Sequence, residues 1–410
     1  MQKKKLKILF IFLMKFPTNH AVLTNVYADY LGKNHDVTWL MPREKQGKRE
    51  LFFWRNIEVF TTKKFKERNF LFKLINYFSS YFMKRKILKE LFKNNKFDII
   101  QTRNDPMDAL LAIKYSKKYR IPFVYQYSFP IYEKLIYTAK HGGSEFPRFF
   151  SYIFGHIGNY LVHKIIMKKA DLILPISEWM KNDLIKKGIL SKKLFPFSMG
   201  ANVPKLLVKN KEICNKYKIK KNEKILIYLG NMDKTRNLGF LIEVFRKLKI
   251  KKYKFKVLMV GDGKDRNHLM RLCSEFKLDN VIFTGKVPYQ KVNDYVSVAD
   301  IGLSPFNPLP FLRTTSPTKL MEYMALGKPV VCNDTPEQKM VIDESKAGIC
   351  VKYDVNEFVL AIESLFKKNK KDLEDIGTKG IVWVKKNREY MVLGKKLEEQ
   401  YIKLFYSFNI

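Results

Sequence analysis

The chain has 410 residues, 46% of them hydrophobic, which is enough for two domains with full cores. Lys and Arg number 78 against 39 Asp and Glu, a formal net charge of +39, so the partners to look for are anionic. Cys214, Cys273, Cys332 and Cys350 show no CxxC spacing, which argues against a disulfide framework or a zinc site and fits buried thiols in a reducing compartment.

The first apolar run, Ile8 to Met14, follows a lysine cluster and imitates a signal peptide. It stops at Lys15 with no small-residue cleavage site, so a buried first strand and a cytoplasmic protein are expected. No segment reaches the roughly 18 apolar residues of a spanning helix. Lys7–Met14 as strand, Ala21–Leu31 as helix and Asp36–Leu40 as strand make an opening βαβ unit. That unit places the loop with Asn19 and His20 at the carboxyl edge of a parallel sheet, where ligands bind. His20 reads either as a base or as an ordinary surface histidine.

Thr61–Lys96 carries eleven Lys/Arg, two Glu and eight Phe/Tyr, with Phe70, Leu74, Tyr77, Phe78, Tyr81, Leu88 and Phe92 near one helical face. Interleaved basic and aromatic residues suit an anionic membrane surface; the bland reading is a core-packing helix with solvated lysines. Phe97–Thr102 is a strand leading into the turn Arg103-Asn104-Asp105, and Pro122–Tyr127 is a strand ending at Ser128. Arg103, Asn104 and Ser128 therefore share one sheet edge, as acceptor contacts or as plain turn and cap residues. Ile131–Lys169, long, aromatic and basic around Gly142-Gly143, suggests a second membrane-facing or lid element.

The pattern restarts at Lys224–Leu229, a strand running into Gly230-Asn231 and Arg236. Lys254–Val260 ends in Gly261-Asp262-Gly263, and Val281–Thr284 leads to Lys286-Val287. After the strand at Asp300–Pro305 comes Thr314-Thr315-Ser316-Pro317-Thr318-Lys319-Leu320-Met321-Glu322, then Gly327 and Pro329-Val330-Val331. Ser316 is expected as N-cap and Pro317 as the first helical residue, with Gly327 ending the helix before a strand. The free N–H groups of such a helix start attract phosphate. Trp383–Phe408 reads as a long terminal helix.

The segment Glu322-Tyr323-Met324-Ala325-Leu326-Gly327-Lys328-Pro329-Val330-Val331 resembles the donor-binding signature of the family 4 (group 1) retaining glycosyltransferases. The signature's first Glu is replaced by Thr314, eight residues before Glu322. Ala170–Glu178, Met199–Asn202 and Gly230–Asn237 resemble further steps of the same family, with Arg236 at its usual Lys position. The resemblance implies an α/β GT-B fold: two Rossmann-like, doubly wound parallel-sheet domains facing across a cleft. Residues 1–203 would bind the acceptor, 204–382 the nucleotide-sugar, and 383–410 would form a helix returning to the first domain.

It further implies donor contacts at Gly230, Asn231, Arg236, Gly261, Gly263, Lys286, Val287, Thr315, Ser316, Pro317, Thr318 and Glu322, with Arg236, Lys319 and Glu322 carrying the chemistry. Acceptor contacts would be Asn19, His20, Arg103, Asn104 and Ser128. No Asp-x-Asp occurs and no cluster has metal spacing, so no metal and no cofactor are expected. Arg236, Lys319 and the helix start would then stabilise the leaving diphosphate.

The function expected is transfer of a hexosyl or N-acetylhexosaminyl group from a nucleotide-sugar, UDP-linked before GDP-linked, to a lipid-linked or polysaccharide acceptor. The protein would be peripheral on the inner face of the cytoplasmic membrane. A silent GT-B binding protein and a nucleotide-sugar epimerase are the alternatives. A nucleic-acid partner is not expected, since no helix-turn-helix, zinc-finger or RNP-like motif is present.

Overall fold

A computed structural model describes residues 4–45, 47–63, 70–144, 146–205, 208–220 and 223–408. The chain divides into two compact units, Met1–Ser198 with Tyr390–Ile410, and Met199–Glu389. Each is an α/β unit on a mostly parallel sheet, as the sequence predicts.

The first unit has seven strands: β1 (Lys7–Ile11), β2 (Asp36–Pro42), β3 (Glu50–Trp54), β4 (Ile57–Thr62), β5 (Ile99–Arg103), β6 (Phe123–Tyr127) and β7 (Leu172–Pro175). Their order is β3-β4-β2-β1-β5-β6-β7, parallel except for the β3–β4 hairpin. Ile8 to Phe12 are fully buried, as a strand covered on both faces requires. The order reverses between β1 and β5, so the loops after these strands flank the switch point.

Three local readings change. The helix expected from Ala21 is π-helical over Leu23–Leu31. The β3–β4 hairpin was not legible, because its turn puts Arg55 at φ 56° with no glycine to mark it. Thr61 and Thr62, taken above as the start of a helical stretch, end β4; the helix is Phe70–Asn94. Residues 64–69 and the Phe70 side chain, part of that stretch, lie outside the described residues. The face singled out there divides: Leu88 and Phe92 are core, with Phe92 stacked on Tyr119 at 4.5 Å, while Phe78 is exposed; Phe82, outside that face, is exposed too. A stripe at helical spacing marks whichever face is buried, and here its C-terminal half packs on the sheet.

Helices Ile131–His141 and Arg148–Tyr160 form a hairpin with an unusual polarity. Arg148–Tyr160 turns Ser151, Gly155 and Gly158 inward, and Phe149, Phe150, Phe154, Ile157 and Tyr160 outward. A Cβ on Gly158 would stand 2.1 Å from the Tyr132 ring, so the close approach of the two helices depends on that glycine.

The last helix is Tyr390–Phe408 and belongs to the first unit. Tyr30 Oη donates to Glu398 Oε2 at 3.0 Å. Glu398 also meets the buried His35, Nε2 to Oε1 3.1 Å. The Leu6 N–H donates to His35 Nδ1, so in the neutral ring Nε2 carries the proton and faces the carboxylate. The preceding helix, Lys370–Asn387, lies in the second unit, where Trp383 Nε1 donates to Glu344 at 3.1 Å. The unit boundary therefore falls after Glu389 and not at residue 383.

The second unit has six parallel strands: β8 (Lys224–Leu229), β9 (Phe255–Val260), β10 (Val281–Gly285), β11 (Ile301–Ser304), β12 (Val330–Asn333) and β13 (Gly348–Val351). The order is β10-β9-β8-β11-β12-β13, with the switch point between β8 and β11. Along β8 Leu226 and Tyr228 enter one apolar cluster, Ile225, Ile227 and Leu229 the other. That is the alternation of a strand sandwiched between helical layers.

Candidate active site

In the second unit the loops after β8 and β11 and the helix Thr318–Ala325 converge on the switch point. Lys319 Nζ lies 4.1 Å from the centre of the Tyr228 ring and 5.1 Å from that of Phe306. The Arg236 guanidinium lies 5.2 Å from the same Phe306 ring. One aromatic ring thus lies close to two cations, each gaining from the ring quadrupole.

Glu322 stands one turn beyond Lys319 on the helix and interacts with Tyr289, from the turn Tyr289–Lys291. Burial raises its carboxyl to about 7, against the pull of Lys319 and the Tyr289 hydrogen bond. Burial, then Arg236, hold the Lys319 ammonium well below its usual value. Both side chains keep part of their surface open, yet protein atoms crowd them closely enough to penalise charge. Two cations pressed together and one carboxylate near neutrality form a site that an anion would relax.

The phenyl ring is itself pinned. The Phe306 N–H donates to Asn333 Oδ1 at 2.7 Å, and Asn333 Nδ2 donates to the Phe306 carbonyl at 3.0 Å. Gln338 Nε2 donates to the Asn333 carbonyl at 3.0 Å. Asn307 Nδ2 donates to the Thr235 carbonyl at 3.2 Å, tying this loop to the one that carries Arg236.

The predicted donor residues fall as follows. Gly230 is beside Lys319, where an added Cβ would lie 3.8 Å from Nζ. Gly261 has φ 136°, and a Cβ there would strike the Gly230 carbonyl at 2.0 Å, so the close approach it permits is between two loops of the protein. Gly263 adjoins Met232 and Asn231; Asn231 is exposed and bonds Asp233. Lys286 is exposed, and Val287 packs on the core. Thr315 Oγ1 donates to the Leu312 carbonyl at 2.7 Å, and Thr318 opens the helix.

Ser316 is not the N-cap. Pro317 takes that position with ψ 115° and no side-chain cap bond. The Ser316 hydroxyl is occupied elsewhere, accepting from the Met199 N–H at 3.2 Å and donating to the buried Glu337 at 3.2 Å. Arg388 Nη2 donates to that carboxylate at 3.0 Å. Tyr228, Tyr289, Phe306 and Asn333 were missed. Three are aromatic or loop residues with no motif of their own, and Asn333 resembles any strand-end residue.

In the first unit four of the five predicted acceptor residues form one cluster at the β1/β5 switch point. Arg103 Nε donates to Ser128 Oγ at 2.8 Å, Nη2 meets His20 Nε2 at 2.9 Å, and Nη1 approaches Met14 Sδ at 3.2 Å. Asn104 Nδ2 donates to Ser128 Oγ at 2.9 Å, and the Ser128 N–H donates to Asn104 Oδ1 at 2.8 Å. Asn104 sits at φ 59°, which an Asn tolerates better than most residues. Asn19 is exposed beside the cluster.

Burial and Arg103 keep the His20 imidazole well below its usual pKa, hence neutral. With Nε2 accepting from the guanidinium, Nδ1 carries the proton. His20 is therefore neither a plain surface histidine nor a base with a free lone pair. Below the cluster, Gln101 Nε2 donates to Tyr27 Oη at 3.0 Å and Tyr401 Oη donates to Gln101 Oε1.

The model of the Glycosyltransferase Family 4 matches residues 22–198, and that of Glycosyl transferases group 1 matches residues 209–383. The chain belongs to the family 4, group 1 glycosyltransferases. An uncharacterised glycosyltransferase of Methanocaldococcus jannaschii is 26% identical over 54% of this chain and 55% of its own length. TuaH of Bacillus subtilis, a glycosyltransferase named for teichuronic acid biosynthesis, is 28% identical over 42% of each. The chain thus spans about half the length of these curated relatives. HepE of Anabaena, solved in complex with UDP and glucose, superposes with a TM-score of 0.68 over 96% of this chain and 99% of that one, at 15% identity. The two-domain GT-B fold is shared with that structure.

Proposed function

We propose that this family 4 protein moves a sugar from a nucleotide-sugar, UDP-linked by preference, to a lipid-linked or polysaccharide acceptor. The observation that carries the donor half is the Arg236–Phe306–Lys319 cluster beside Glu322. As the glycosidic bond breaks, negative charge develops on the departing diphosphate. Arg236 and Lys319, held on one ring, and the uncapped start of helix Thr318–Ala325 supply positive charge there. Glu322 in its carboxylate form accepts from the ribose hydroxyls. HepE binds UDP, which supports the uridine preference. TuaH, named for teichuronic acid biosynthesis, supports a polysaccharide product.

The reaction proceeds with retention, by resemblance to the family, and with protein cations in the place of a metal ion. The acceptor side is assigned to the His20–Arg103–Asn104–Ser128 cluster.

We place the protein on an anionic membrane surface at the cytoplasmic face. The outward aromatic face of helix Arg148–Tyr160, exposed Phe78 and Phe82, and the charge of +39 support this. No described helix is long and apolar enough to cross a membrane.

The test is thermal stabilisation by UDP, GDP, ADP and CMP, with and without EDTA, on the wild type and Glu322→Ala. A ligand at about 100 times its Kd stabilises by about 2.7 kcal/mol. Stabilisation by one diphosphate, kept in EDTA and lost in the variant, supports the reading. No response from a folded protein to any nucleotide refutes it.

A further inference from the structure

Arg103 is a cation without a counter-ion. It ends β5 at the switch point of the first sheet, crowded by protein. Its three partners, Ser128 Oγ, His20 Nε2 and Met14 Sδ, are all uncharged, and among the described residues no ion pair engages it. A guanidinium carries more N–H groups than these three contacts use. Burial has already drawn its pKa down to about 10. A desolvated charge left this way costs the fold stability, and an apolar or amide side chain would avoid that cost.

The neighbours hold the guanidinium in place without neutralising it. Ser128 is itself fixed by two hydrogen bonds to Asn104, whose carbonyl accepts from Tyr125 Oη at 2.8 Å. His20 is fixed by its own N–H to Thr18 Oγ1 at 3.2 Å. This is a built, rigid, singly positive site at the edge where a parallel sheet binds ligands.

We propose that Arg103 anchors an oxyanion subsite that takes a phosphate or carboxylate group carried by the acceptor. The acceptor is then itself anionic, a lipid phosphate or a glycan bearing a uronate. The inference rests on the acceptor-side reading of the first unit given above. Fork geometry suits either planar carboxylate or phosphate.

The experiment uses the full chain with Arg236→Met and Lys319→Met, which silence the cations of the second unit. Inorganic phosphate, pyrophosphate and glucuronate are titrated calorimetrically, with glucose as the neutral control. Saturable anion binding is expected, weakened about tenfold or more when Arg103→Met is added, the size of one charge-assisted contact. Preference for the phosphates assigns a lipid phosphate, and preference for glucuronate a uronate glycan.

Without anion, Arg103→Met should melt no lower than its parent, because a cost has been removed. Anion affinity unchanged by Arg103→Met, or no anion binding to the parent, overturns the proposal. So does a melting point lowered by Arg103→Met, which would make the guanidinium a structural tie. The same titration on the otherwise unmodified chain saturated with UDP gives a second reading. UDP stabilisation of the wild type, kept in Arg103→Met alone, separates the two ideas: no UDP stabilisation of the wild type sinks the donor reading and leaves the phosphate result standing.

Discussion

Asn333 clasps the backbone of Phe306 at both ends, accepting from its N–H at 2.7 Å and donating to its carbonyl at 3.0 Å. Phe306 in turn faces Arg236 and Lys319. A buried residue at the end of β12 therefore sets where two cations stand, although it touches neither. Asn333→Ala should cost about 1–3 kcal/mol, leaving a buried N–H and C=O unpaired. It should also weaken UDP binding, with Asn333→Asp restoring only the acceptor half. Urea unfolding and UDP titration of both variants check this; full UDP affinity in Asn333→Ala would show that the ring needs no clasp.

Glu322 predicts a stability that depends on pH. Its folded pKa of about 7 lies above the ordinary 4.5, so the folded protein holds this proton more tightly than the unfolded chain. The resulting contribution is complete below pH 4.5 and is lost as pH rises through 7. Glu322→Gln should therefore gain about 1–3 kcal/mol at pH 8 and nothing near pH 4.5, while losing nucleotide affinity. Equal gains at both pH values in urea unfolding would mean that the carboxyl is not raised.

Lys319 predicts proton uptake on binding. Burial and then Arg236 depress its pKa, and a bound diphosphate reverses the second cause and offsets the first. At about pH 9, where Glu322 is already a carboxylate, titrations of UDP in two buffers of different ionisation heat should show protons taken up, and affinity falling as pH rises toward 10.5. Lys319→Met should abolish the uptake.

The helix hairpin separates packing from surface. Phe154→Ser with Ile157→Ser changes exposed side chains and should leave stability within about 0.5 kcal/mol, yet reduce binding to phosphatidylglycerol vesicles. Gly158→Leu drives a side chain into the Tyr132 ring and should cost about 1–3 kcal/mol. Vesicle sedimentation that is the same for wild type and the double serine variant would remove this face from the membrane reading.

Lys84 donates to both oxygens of Asp108 at 2.7 and 2.8 Å and to the Phe12 carbonyl at 2.8 Å, fully buried. Lys84→Met strands the carboxylate and should cost about 3–5 kcal/mol, whereas Lys84→Met with Asp108→Leu should recover much of it. Urea midpoints of the two variants decide.

The sequence by itself determined the two α/β units, because buried parallel strands and capped helices announce themselves through local periodicity and glycine-marked turns. It also determined that Arg236, His20, Arg103 and Ser128 lie at or just after strand ends and that Lys319 and Glu322 share one helix, since a βαβ unit dictates which loops share an edge. Tertiary structure alone decided what those residues meet. That Phe306 joins Arg236 to Lys319, that Asn333 pins Phe306, and that Ser316 serves Glu337 instead of its helix are contacts between distant segments. The same holds for burial sign: Leu88 and Phe92 turned inward while Phe154 and Ile157 turned outward. Periodicity shows that a helix has two faces. Which face is covered depends on whether the neighbour offers an apolar sheet or a second helix that only small residues can approach.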